Sequence, residues 1–292
     1  MTSSADEAVF DVHAHLISDD PQRYPHAPLA GIVDASVLED PMTAERLVAA
    51  MPGSAVKRAV AVQRAHVYGI DNRYVVDAAS AYPGLLSPLV LVNPVAEDGA
   101  ASVRRWVGRE GAIGVRLTAP SRDGGLAWLS SSAALAVWDA VAAHGASMRV
   151  HFYSWNREAG LREVLQLARR YSRISIVLDH LSNVAVQAHG PEYGLDPALQ
   201  ALIPCANISL MFSTINVLRA QDAGLALSPL IARLAEVFGP ERLMWGSDVG
   251  QSKPAYPDMV QMAREAVAPL SQAARQAVLW GAACRVYGGA AR

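Results

Sequence analysis

Two imidazoles two residues apart, His13 and His15 in the run Asp11-Val12-His13-Ala14-His15, open the chemistry of this 292-residue chain. Side chains i and i+2 of a strand leave on the same side, so these two rings can aim at one point. Neutral imidazole is a ligand for zinc and other borderline metals, and it also moves protons near neutral pH. Three more polar residues stand at the ends of apolar runs. His151 follows Met148-Arg149-Val150, His180 follows Val177-Leu178-Asp179, and Asp248 follows Met244-Trp245-Gly246-Ser247. A lone histidine after a strand is usually a satisfied polar group. Several at the same end of different strands share one site if the strands form a barrel, whose C-terminal mouth gathers them. Such a site could activate water. A metal would lower the pKa of bound water toward about 7. Without one, His13, His15, His151 and His180 could polarise a carbonyl as hydrogen-bond donors. In both versions a carboxylate at the same mouth, such as Asp248, could take a proton from water.

Other residues could meet a substrate. Arg116 ends the run Gly114-Val115-Arg116 and could grip a carboxylate with two parallel hydrogen bonds, or else form a structural ion pair at the barrel mouth. Arg64 and His66 flank a strand end, and Ser213 and Thr214 could add hydroxyls. Tyr24 and His26 could close the rim. Trp245 reads as core. Cys205 falls at the start of a strand, opposite the site, and is given no catalytic role.

The elements that must position these groups alternate along the whole chain. Eight strands are predicted over 8–14, 58–63, 86–92, 112–117, 147–152, 174–179, 206–212 and 242–247. Several are near-continuous apolar runs, as parallel strands covered on both faces require. Between them the pattern predicts helices at Thr43–Met51, Arg73–Ala81, Ala100–Arg109, Ser132–Ala143, Glu158–Arg170 and Ser228–Phe238. Two more follow the last strand, Pro257–Val267 and Ser271–Tyr287. Eight alternations favour a closed (β/α)8 TIM barrel, read as one domain over 1–292. A doubly wound sheet would carry a glycine-rich phosphate loop after its first strand, and none stands there.

Composition bounds the partners. The formal net charge is −2, so no electrostatic footprint for nucleic acid or an anionic membrane is expected. The apolar runs are far shorter than the roughly 20 residues that span a bilayer. Cys205 and Cys284 form no framework, which suits a reducing cytoplasm. The run MTSSADEAVFDVHAH lacks the basic and hydrophobic regions of a signal peptide. The expected partner is a small molecule, and a homo-oligomer is compatible with the composition.

The motifs FDVHAH, ISDDPQRYPHAP, VQRAHVYGIDNRY, GAIGVRL, VLDH, FGPERLMWGSD and LWGAACRVYGG together resemble the amidohydrolase superfamily. More narrowly they resemble its amidohydrolase-2 branch of lactonases, pyrone-dicarboxylate hydrolases and some decarboxylases. The resemblance implies metal positions at His13, His15, His151 and Asp248. It implies catalytic roles for Asp248 and for His180, as a ligand or as a group orienting substrate. It also implies substrate contacts from Tyr68 and Arg73, although Arg73 could equally pair locally at a helix start. One divalent metal, zinc or manganese, is implied, while some relatives of this branch act without a metal. The fourth strand departs from the two-metal pattern, because Gly114-Val115-Arg116-Leu117 offers neither a lysine to be carbamylated nor a glutamate. The expected activity is hydrolysis of a small, carboxylated cyclic ester. The alternatives are metal-dependent decarboxylation of an aromatic or muconate-type acid, and metabolite binding without turnover, which would leave a general base unneeded.

Overall fold

Apolar runs rich in valine, leucine and isoleucine form eight parallel strands in a computed structural model that describes residues 8–288, apart from 30, 32, 34, 189 and 191. They are β1 (Val9–His15), β2 (Val56–Val62), β3 (Leu86–Leu91), β4 (Gly114–Thr118), β5 (Ser147–His151), β6 (Ile176–Leu178), β7 (Ile208–Ser213) and β8 (Leu243–Gly246). Each pairs in parallel with the next, in the order β1 to β8, and helices cover the outside. This is the (β/α)8 barrel expected from the alternation. No helix among the described residues is long and apolar enough to cross a membrane.

The interior is packed. Phe10, Val12, Val60, Leu89, Ile113 and Met244 meet inside the barrel, and Ala282, Ala283 and Tyr287 of the closing helical stretch join them. The Ser271–Tyr287 helix of the sequence reading is in fact α-helix at Gln272–Gln276 and Ala282–Tyr287 with a π-helical turn between them, Ala277–Gly281. One nine-residue helix, Thr214–Asp222, was not expected. It starts directly at the end of β7, where the Ser213 hydroxyl and the Asn216 amide cap it reciprocally.

Between β8 and β1 the barrel closes by special means. Asp248 N–H donates to His13 O (2.7 Å), and His15 N–H donates to Val249 O (2.9 Å). The register of β1 on β2 shifts between Asp11 and Ala14. Such an irregularity re-aims side chains, and the Asp11 carboxylate serves the seam instead of the histidine site. It accepts from the Ser247 N–H (2.8 Å), the Ser247 hydroxyl (2.6 Å) and the Tyr256 hydroxyl (3.0 Å). Gly246 is required at this seam, since a Cβ there would lie 2.3 Å from the Cβ of His13. Gly246→Ala should therefore cost about 1–3 kcal/mol of stability, the range for overpacking a tight site. Urea denaturation measures this, and an unchanged midpoint would show that the seam yields freely.

Candidate active site

The strand ends bring the predicted groups together at the C-terminal mouth of the barrel. The rings of His13 and His15 lie edge to face with centroids 4.7 Å apart, His13 and His180 are 4.9 Å apart, and His151 and His180 are 5.7 Å apart. Asp248 Oδ1 stands 3.7 Å from His13 Nε2 and 3.8 Å from His15 Nε2. His180 and Asp248 are both held by unusual backbone. Asp248 has φ +60°, and His180, Leu181, Ser182 and Asn183 form four successive left-handed residues with φ between +50° and +54°. Left-handed backbone costs a non-glycine residue roughly 1–2 kcal/mol. The surroundings hold it here: Asn216 Nδ2 donates to His180 O (2.9 Å), Arg157 Nε donates to Ser182 O (2.6 Å), and Asn183 Nδ2 donates to Phe152 O.

Beneath the histidines lies a buried ion cluster. Arg149, fully buried on β5, donates from Nε to Asp179 Oδ1 (2.8 Å), and it also donates to Val12 O and to His13 Nδ1 (2.9 Å). Arg116 Nε donates to the other oxygen of Asp179 (2.7 Å). Burial works to raise the Asp179 carboxyl, but the charges of Arg149 and Arg116 overcome it and hold the group well below the usual carboxylate range. The opposite balance rules at Asp248. Burial pushes its carboxyl up to about 7, and the Ser252 hydroxyl, Arg64 and Arg116 offset this only in part. The histidines are neutral. Burial, aided by the positive charge of Arg149 at His13 and of Arg64 at His15, drives both far below the usual imidazole range. Burial lowers His180 to about 3.

Above this floor opens a cavity of about 560 Å³. His15, His151, His180 and Asp248 line it, together with Arg64, Arg116, Arg122 and Arg219. Asp248 is the one carboxylate among the lining residues, against those four guanidiniums. Arg64 is 5% exposed, and its Nε finds no hydrogen-bond partner among the described residues. Burial draws its guanidinium down to about 10. Tyr153 and Trp155 stack at 5.7 Å on one wall, with the guanidinium of Arg122 5.8 Å from the Trp155 ring.

Of the substrate contacts expected from the sequence, Tyr68, Arg73 and Ser213 do not line this cavity. Tyr68 is buried and its hydroxyl accepts from Ser18 N–H (2.8 Å), so it fixes the loop after β1. Arg73 forms an exposed ion pair with Asp71 (2.6 Å), the local pairing weighed above. From the same loop Arg64 and His66 reach the cavity instead. Ser213 is fully buried, and its hydroxyl lies 2.6 Å from His180 Nδ1, so it orients the imidazole and not a substrate. Thr214 is buried beside it. Arg116 is at once an ion-pair partner and a lining residue, since only Nε is spent on Asp179. The sequence reading assigned nothing to Arg149 and Asp179. Alternation carried a signal, because Arg149 and His151 are two apart on one strand and therefore share a face.

The sequence model of the family described as amidohydrolase matches residues 10–289. The chain belongs to the amidohydrolase family. No curated protein matches it. Solved structures share the fold of this amidohydrolase. A Burkholderia multivorans amidohydrolase with bound zinc is 22% identical, with a TM-score of 0.75 over 96% of this chain and 99% of that one. A Pseudomonas putida protein with the provisional name 2-pyrone-4,6-dicarboxylic acid hydrolase is 21% identical, with a TM-score of 0.71 over 97% and 98%. A 5-carboxyvanillate decarboxylase from Novosphingobium aromaticivorans, with bound manganese, is 13% identical, with a TM-score of 0.68 over 98% of both chains.

In this amidohydrolase His13, His180 and Asp248 each bring a ligand atom within 4.8 Å of the others, and a set so spaced could hold a metal ion. Hydrogen bonding decides whether its members have lone pairs to offer. A neutral histidine that ligates through Nε2 carries its proton on Nδ1 and donates it to an acceptor. His180 can meet this condition, because its Nδ1 faces the Ser213 hydroxyl (2.6 Å), whose oxygen is able to accept. His15 meets it too, because Nδ1 faces the carbonyl of Val62 (2.9 Å). His13 does not. Its Nδ1 faces Arg149, which has only protons to give. In this hydrogen-bonded state His13 does not present the Nε2 lone pair that the zinc or manganese implied by the family resemblance would need.

Proposed function

We propose that this amidohydrolase hydrolyses a cyclic ester bearing more than one carboxylate. One observation carries the reading: the cavity sets four arginines against a single carboxylate, Asp248. A guanidinium as buried as that of Arg64, with its Nε lacking a partner among the described residues, is costly until an anion meets it. A polycarboxylate would supply that partner, and the free Nη atoms of Arg116 match a planar carboxylate.

The chemistry follows from the protonation states. His15 gives its Nδ1 proton to the Val62 carbonyl and turns a bare Nε2 toward the site, so it accepts a hydrogen bond and orients water. The donors for the ester carbonyl are guanidinium N–H groups. Asp248 takes a proton as the water oxygen bonds to the carbonyl carbon. The ring C–O bond then breaks, and Asp248 returns the proton to the departing alkoxide. The product is the open-chain hydroxy acid.

Turnover of a panel of carboxylated lactones by chelator-treated protein, read by product mass, tests this. A 2-pyrone dicarboxylate, after which the Pseudomonas putida protein is provisionally named, has the required features and is the first compound to try. Gain of one water supports the reading. Release of carbon dioxide instead would select decarboxylation. Binding without turnover across the panel would leave a non-catalytic barrel.

Arg64→Met should raise KM for a dicarboxylated lactone by about 10–100-fold, the worth of a charge-assisted hydrogen bond of about 1.5–3 kcal/mol. A neutral ester of the same ring should lose far less. Arg73→Ala is the control. As an exposed pair outside the cavity, it should leave KM unchanged and stability within about 0.5 kcal/mol. Equal losses on both esters in Arg64→Met would make Arg64 a packing residue.

A further inference from the structure

We infer that Arg149 is a positioning residue that locks His13 in its Nε2–H tautomer, so that the His13–His15 pair is a one-way chain of hydrogen bonds and not a pair of metal ligands. Three contacts fix every proton in the chain. Arg149 can only donate, so His13 Nδ1, 2.9 Å from Arg149 Nη2, is bare. The proton of neutral His13 is then on Nε2, which lies 3.1 Å from His15 Nε2. At the far end the Val62 carbonyl can only accept, so His15 carries its proton on Nδ1 and leaves Nε2 bare to receive the one from His13. Donor meets acceptor at each link. The opposite assignment would set two N–H groups against each other at Arg149.

Asp179 holds the switch. Its Oδ1 lies 3.8 Å from His13 Nδ1, with the Arg149 guanidinium bonded to both. Without Arg149 this carboxylate is placed to accept a proton from His13 Nδ1. That would turn the free lone pair of Nε2 toward His180 and Asp248, the carboxylate–histidine arrangement that supports metal ligation. Arg149 thus decides whether the histidine cluster works as a hydrogen-bonding site or as a metal site.

The test is long-range ¹⁵N–¹H correlation on the wild-type protein labelled at histidine, with His13 assigned by loss of its signals in His13→Gln. A bare Nδ1 and a protonated Nε2 are expected, unchanged by addition of zinc. Protonated Nδ1 on His13, before or after zinc, would overturn the inference. Zinc titration of Arg149→Met by calorimetry adds a second arm. Its Kd for zinc is expected at least about tenfold below that of wild type, with the His13 signals inverted to Nδ1–H. Equal zinc affinity in a folded Arg149→Met, with His13 still protonated at Nε2, would show that Arg149 does not set the tautomer. Should that variant not fold, the wild-type spectrum decides alone.

Discussion

Replacing Asp248 by asparagine is expected to slow turnover by about 10²–10⁴-fold, the usual worth of a positioned general base, or roughly 3–5 kcal/mol of barrier. Asparagine tolerates the left-handed backbone at this position, where φ is +60°, so the loop keeps its course. Wild-type kcat/KM should rise with pH through about 7, as the buried carboxyl loses its proton, and this limb should vanish in the variant. Stability should move the other way. The folded carboxyl titrates near 7, above its value in the unfolded chain, so wild type loses stability as pH rises through 7. The amide of the variant is neutral throughout, so Asp248→Asn should melt above wild type at pH 8, and the gap should narrow toward pH 5. A variant that melts lower at pH 8 yet turns over at near-normal rate would make Asp248 a structural cap.

Asp179→Asn should produce the largest loss of stability, about 3–5 kcal/mol at pH 7, because it leaves a fully buried guanidinium without its carboxylate. The sign of the pH dependence is set by the lowered carboxyl. Its contribution is fully present above the unfolded value near 4 and is lost as pH falls through the lower folded value. Wild type and variant should therefore converge in acid. Guanidinium chloride denaturation at pH 7 and pH 3 measures both. A pH 7 difference under 1 kcal/mol would show that Arg149 is adequately held by Val12 O and His13.

Strand positions were legible because parallel strands buried on both faces write unbroken apolar runs. The strand-end groups His13, His15, His151, His180 and Asp248 were legible for the same reason, as polar residues ending those runs. Helix Thr214–Asp222 was hidden: it begins one residue past β7 with Thr214 and Ile215, β-branched residues that read as more strand. The spacing of Ser213 and Asn216 was the available cap signal. The ion cluster was hidden differently. Arg149 lies mid-strand and Asp179 precedes a histidine that drew the attention, and only the barrel brings positions 30 apart in sequence to one point. Tyr68 and Arg73 lie off the cavity because the loop after β2 turns into a short helix at Ala65–Tyr68, which buries one hydroxyl and leaves the other side chain outside.

The left-handed turn at 180–183 sets stability selection against catalysis. Ser182 sits there fully buried, at φ +51°, with a hydroxyl that finds no partner among the described residues. Glycine would relieve roughly 1–2 kcal/mol of backbone strain and remove the orphan hydroxyl, against about 0.5–1 kcal/mol of added unfolded-state entropy. A library screened only for heat resistance should therefore accumulate Ser182→Gly. The same glycine would release the segment that aims His180, so survivors of such a screen should be hardier and slower. Thermostabilising campaigns on this barrel would do well to leave that turn untouched.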